Sequence, residues 1–317
     1  MKKIAGLLFL LGVLGVKLSF AQNIAYIANN EFLEANHTIA ICPIGDDASI
    51  GTCVQHTDRT FQLPVDVILN DNATVAYVAN AFDNTISVCP VDAQGALAPC
   101  ATFNDPNLLL ARSGLRLNAD NTLLYVTNYL YSGSISVCPV DNEGNLSACT
   151  SYRNQTFNGP AGRMVLDVSG EIAYVPNAHI SSISICDTAF STCKSIRERN
   201  LNTPSGLDLD ASGRYLYLAS NSSSSVLICP SDFRNLAPCA ISRGNNTFGY
   251  PTFDFGDNVT NLFIRTNNGH GYIPNRGNNT VSVCPIDPAT GGLDLCTAYD
   301  GGDAFINPTS VWVAEFN

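Results

Sequence analysis

Histidines, arginines and cysteines are the side chains of this sequence best placed to do chemistry. The four histidines are His37, His56, His179 and His270. A hydrolase needs a histidine or carboxylate base held beside a nucleophile or a metal. No Gly-x-Ser-x-Gly elbow, His-Glu-x-x-His pair or phosphate-binding loop places any of them in such a setting. Each histidine therefore reads first as an ordinary loop residue. The arginines Arg59, Arg112, Arg153, Arg163, Arg197, Arg199 and Arg243 are scattered through a chain in which 16 Lys+Arg face 27 Asp+Glu. A guanidinium can grip a carboxylate or sulfate through two parallel hydrogen bonds. The alternative is pairing with nearby acids such as Asp58 and Asp105. The 12 cysteines show neither the Cys-x-x-Cys spacing nor the adjacent histidines that a metal centre wants. They read as disulfides, and no metal or cofactor is expected.

The elements that must carry these residues announce themselves as a repeat. One phrase recurs as Tyr26-Ile-Ala-Asn29, Tyr77-Val-Ala-Asn80, Tyr125-Val-Thr-Asn128, Tyr174-Val-Pro-Asn177, Tyr217-Leu-Ala-Ser220 and Tyr272-Ile-Pro-Asn275, at intervals of 51, 48, 49, 43 and 55 residues. Each is followed by an alternating apolar run that ends in cysteine, such as Thr85-Ile-Ser-Val-Cys89, and preceded by another that ends in a turn. About four strands fit in each unit, the length of a propeller blade. Turns such as Asp167-Val-Ser-Gly170 and Asp210-Ala-Ser-Gly213 join adjacent antiparallel strands. They offer too few oxygens for a calcium loop.

The expected fold is all-β: a six-bladed β-propeller of four-stranded antiparallel blades spanning residues 22–317. The chain enters at a Tyr phrase and leaves on Asn307-Pro-Thr-Ser-Val-Trp-Val-Ala-Glu-Phe316, a run with no Tyr phrase after it. The last strand is therefore expected to complete the first blade, leaving no open sheet edge at the seam. Each repeat holds two cysteines 7 to 12 residues apart. The expected pairs are Cys42–Cys53, Cys89–Cys100, Cys138–Cys149, Cys186–Cys193, Cys229–Cys239 and Cys284–Cys296. In this frame His37 and His179 follow Tyr phrases, His56 lies in an inter-blade connection and His270 in the turn before Tyr272. Arg112 and Arg163 fall near the start of innermost strands. With His56 and His179 they are the candidate ligand-binding residues at the mouth of the axial channel. Phe82, Tyr129 and Tyr131, in loops after Tyr phrases, are placed to stack on a sugar or protein, or to cover the channel.

Residues 1–21 read as a signal peptide: Lys2-Lys3, an apolar run from Ile4 to Val16, and Ser19-Phe20-Ala21 at the cleavage point. The expected product is secreted, periplasmic or on the cell surface, without a membrane span, and a monomer. The formal net charge of −11 over the full sequence argues against nucleic acid as a partner. Eight Asn-x-Ser/Thr sequons, at Asn36, Asn72, Asn145, Asn154, Asn221, Asn245, Asn258 and Asn278, are glycan acceptors on a eukaryotic secretory route. In a bacterial chain they reflect Asn- and Ser-rich turns.

Through its repeated phrase, literal at Tyr125-Val-Thr-Asn128, the chain resembles the Tyr-Val-Thr-Asn β-propeller repeat family across essentially all of residues 22–317. That resemblance implies kinship with the seven-bladed lactonase-like propellers and an exported protein. The sequence departs from the group in its six blades and paired cysteines, and no catalytic residue carries over. With no catalytic motif in view, the expected function is a non-enzymatic binding scaffold for a protein or carbohydrate partner. The alternative is a lactonase-like hydrolase or lyase working at the channel mouth.

Overall fold

The computed structural model describes residues 22–30, 37–109, 114–129, 131–232, 235–236, 238–248, 263–265 and 269–316. The leader expected over 1–21 and the candidate Arg112 lie outside these residues.

Six antiparallel sheets are arranged as the repeat predicts. Blade 1 runs Pro308–Phe316, Gln22–Asn29, Thr38–Ile44 and Val54–Thr57, so the last strand of the chain is the first strand of the first blade. It pairs with Gln22–Asn29 from Gln22↔Phe316 to Asn29↔Pro308. Blade 2 runs Pro64–Leu69, Val75–Asn80, Thr85–Pro90 and Ala101–Asn104, and blades 3 to 6 repeat the pattern. Blade 5 adds a short strand, Asn235–Leu236, beside its third strand. The first strands of neighbouring blades touch one another at five of the six seams, all but that between blades 3 and 4, and so form the inner wall. The core lies between blades, as in the cluster of Tyr26, Ile39, Val67 and Val78 at the interface of blades 1 and 2.

The Tyr phrase is an inter-blade fastener. Tyr26 donates to the carbonyl of Gly95 (2.7 Å), Tyr77 to Gly144 (2.8 Å) and Tyr217 to Gly291 (2.9 Å), each in the hairpin turn of the following blade. Blade 4 has no glycine in that turn, and there Tyr125 meets the Phe190 ring edge-on at 6.2 Å. The Asn that closes the phrase works within its own blade. Asn80 donates to Thr85 and Ser87, and its Oδ1 accepts the Gln62 N–H of the incoming connection. Asn128 and Asn177 repeat this with Leu109 and Asn158. Blade 5 has Ser220 in the same place, bonded to the Asn202 backbone. The phrase recurs because every blade must satisfy the same buried backbone groups.

All six disulfides join the expected pairs, and among the described residues there is no unpaired cysteine. The Asp-x-Ser-Gly turns are Asx turns. Asp167 accepts the amides of Glu171 and Ile172 as well as the Ser169 hydroxyl.

Candidate functional site

The upper face of the ring is where the first strands begin and where the connections after each Asn emerge. Just below it, Arg163 crosses the axis. It stands at the head of blade 4 with a fully buried side chain. Its Nη2 lies 2.5 Å from Asp66 Oδ1 of blade 2 and 3.3 Å from the carbonyl oxygen of Val67, and Nη1 reaches the Val311 carbonyl of blade 1. The guanidinium also sits 5.3 Å from the Trp312 ring centroid. Asp66 Oδ2 accepts the Leu115 N–H of blade 3, and the Arg163 carbonyl accepts from Leu207 of blade 5. Arg163 and Asp66 together thus tie five blades. Gly114 makes room: any side chain there would collide with the Arg163 backbone. Desolvation pushes the Asp66 carboxyl upward, against the pull of Arg163. A second pair, Arg116–Asp208 at 3.6 Å, links blades 3 and 5.

Arg163, expected at the channel mouth, is therefore spent on the core. The expected pairing of arginines with Asp58 and Asp105 is also corrected. Those carboxylates take backbone amides, Thr60 and Cys100 for Asp58, Asn107 and Cys149 for Asp105. They clamp one blade to the next. Asp66 and Asp208 were the signal the sequence reading passed over: single acids inside apolar first strands, where a charge has to have a partner.

The histidines part company. His56 is not in a connection but in the outermost strand of blade 1, edge-on to Phe61 with ring centroids 6.0 Å apart. Desolvation holds it below its ordinary pKa, and His37 likewise. His270 opens the second strand of blade 6. His179 alone joins other candidates. It occupies a one-turn 3-10 segment, Ala178–Ile180, directly after the Asn177 clamp. Its Nε2 lies 2.7 Å from the Tyr129 hydroxyl of blade 3, and the Tyr131 ring stacks on it at 4.2 Å between centroids. Gly159, at φ +65, comes so close that a Cβ would lie 2.7 Å from the imidazole. The ring is thus held between the two tyrosines and the connection entering blade 4. Tyr131 is 80% exposed and also walls a pocket of about 370 Å³ shared with Gly133, Arg153, Gln155, Phe157 and Asn158.

A base hydrogen-bonded to a phenol beside an open pocket can pass a proton between water and a bound substrate. No group of three potential metal ligands occurs among the described residues, and no helix among them is long and apolar enough to cross a membrane.

The profile of the family described as Lactonase, 7-bladed beta-propeller, matches residues 111–305, more than half of the chain. No curated protein matches it by sequence. Among solved structures it is similar to a putative 6-phosphogluconolactonase from Bacteroides fragilis, at a TM-score of 0.62 and 14% identity, covering 92% of this chain and 98% of that one. It is also similar to the periplasmic gluconolactonase PpgL of Pseudomonas aeruginosa, at a TM-score of 0.61 and 14% identity, covering 94% and 100%. The nidogen/laminin complex offers a chain at a TM-score of 0.64 and 11% identity, covering 92% and 98%. At these identities such likenesses speak to fold. The family match overturns the expected non-enzymatic scaffold, which rested on the regular repeats, the disulfide stapling and a missing catalytic motif, and favours the lactonase-like alternative. Propeller sites gather residues from several blades and need leave no contiguous signature. By the reach of that match, and with six blades in place of seven, the chain belongs to the lactonase β-propeller family.

Proposed function

We propose that the protein hydrolyses a sugar lactone on the upper face, with His179 as the base and Tyr129 as its proton relay. The observation that carries this is the position of the pair: His179 Nε2 and the Tyr129 hydroxyl, 2.7 Å apart, lie inside the matched segment and beside an open pocket. His56 lies outside that segment, and Arg163 is committed to the core. In this reading water attacks the lactone carbonyl carbon while its proton passes through the Tyr129 hydroxyl to Nε2. The tetrahedral oxyanion collapses, the ring C–O bond breaks, and the ring oxygen leaves as an alcohol after taking the proton back. The product is the open hydroxy acid, and water is the co-reactant. Disulfide pairing of all 12 cysteines and the leader-like residues 1–21 support an extracytoplasmic setting for the reaction.

The test is hydrolysis of D-glucono-δ-lactone and related five- and six-membered lactones, followed by acid release at constant pH. His179→Ala should lower kcat by about a hundredfold or more with unchanged circular dichroism. A wild-type rate no faster than the spontaneous one across the panel, or full activity in the variant, would refute the reading.

A further inference from the structure

The pocket beside His179 says something about which lactone. The chain carries 27 acidic residues against 16 basic, yet no acidic residue lines this pocket, and an arginine does. Arg153 is exposed and makes no ion pair among the described residues. Opposite it in chemistry stands Tyr131, whose exposed ring is steadied by its stack on His179. Asn158 lines the same pocket, and its backbone N–H donates to Asn177 Oδ1 at 3.0 Å, which fixes that wall to the blade 4 clamp. Gly133, also in the lining, lets its loop pack directly on Pro160, because a Cβ there would run into Pro160 and the Asn128 carbonyl.

An aromatic face and a guanidinium with no carboxylate partner among the described residues fit one ligand chemistry. We propose that this pocket is the specificity subsite for a carboxylate-bearing sugar. The sugar ring lies on Tyr131 and the carboxylate takes the Arg153 fork. The proposal rests on the hydrolytic reading for its role, since Tyr131 is shared with the His179 cluster. The preferred substrates are then lactones that keep a free carboxylate at the end remote from the ring being opened.

Two measurements separate the two ideas. The first is calorimetric titration with methyl β-D-glucuronoside, which has no lactone to open and so reports the subsite alone. It should bind saturably, and methyl β-D-glucoside about tenfold or more weaker. Arg153→Gln and Tyr131→Ala, both on the surface, should each weaken the glucuronoside by about tenfold. No saturable binding, binding unchanged in Arg153→Gln, or equal binding of the neutral glucoside overturns the proposal. Displacement by inorganic phosphate at equal affinity overturns it as well, by showing a bare anion site. The second is the ratio of kcat/KM for D-glucaro-1,4-lactone over D-glucono-δ-lactone, expected to fall about tenfold in Arg153→Gln while His179→Ala lowers both. An unchanged ratio overturns the subsite but leaves hydrolysis standing. Glucuronoside binding with no hydrolysis of either lactone removes the role in catalysis and refutes the hydrolytic reading alone.

Discussion

Arg163 and His179 show how differently two candidates from the same sequence can be spent. Each sits beside a first-strand entrance or a loop of blade 4, yet Arg163 is wholly buried against Asp66 while His179 is half-exposed between two tyrosines. Complete desolvation makes the axial pair costly to break and less costly to replace as a unit. Asp66→Leu or Arg163→Met alone should each destabilise the fold by about 3–5 kcal/mol in denaturant titration, whereas the Asp66→Leu/Arg163→Met double variant should lose clearly less than the sum. Additive losses would mean that the two side chains do not act together. A further consequence concerns activity: because the pair lies on the axis and shares no residue with the proposed site, a double variant that folds should keep most of its lactone hydrolysis.

At the level of the blade, the hairpins joining third and fourth strands share one device. In the turns of Asp141, Asp187 and Asp287 the carboxylate accepts amide and side-chain donors from the residues that follow. For Asp187 the Ser191 hydroxyl is the leading cause, and its pKa is held below the ordinary 3.8. The side chain of Asn145 does the same for Asp141, and that of Thr290 for Asp287. A carboxyl whose folded pKa is depressed contributes stability that is present above its unfolded pKa and lost as pH falls through the folded one. The hairpins should therefore hold from neutrality down to about pH 4 and loosen below it. Amide protection in 136–150 and 184–193, taken relative to the pH-dependent intrinsic exchange rate, should fall in that window, and Asp187→Asn should remove the dependence for its own hairpin. Protection unchanged from pH 5 to pH 2.5 would count against this. The Tyr–Asn phrase belongs to the same scale, and burial pushes the Tyr77 hydroxyl up to about 12 while it stays a donor to Gly144.

Over the whole molecule, stability depends on closing the ring. The strand Pro308–Phe316 is the inner strand of blade 1 and touches the first strands of blades 2 and 6. Deleting 308–316 should abolish the cooperative thermal transition, since it opens a sheet edge and removes Val311 and Trp312 from Arg163. A truncated chain that melts like the full one would contradict the closure argument. Much of this was legible beforehand. Six copies of the Tyr phrase and six cysteine pairs specify blade number, strand order, seam and disulfides, because a repeat imposes the same local hydrogen bonds at each turn of the ring. The site was only partly legible. His179 and the loop tyrosines were visible as candidates, but Arg163 looked no different from Arg112 in one dimension, and Asn158 carried no signal. Tyr129, Tyr131 and His179 meet only because blades 3 and 4 pack side by side, about 50 residues apart in sequence. Local alternation and periodicity, written into neighbouring residues, determined the architecture from sequence alone. Which charges are buried on the axis and which face a pocket was decided by the ring, because burial and pairing are properties of contacts between blades that no single repeat contains.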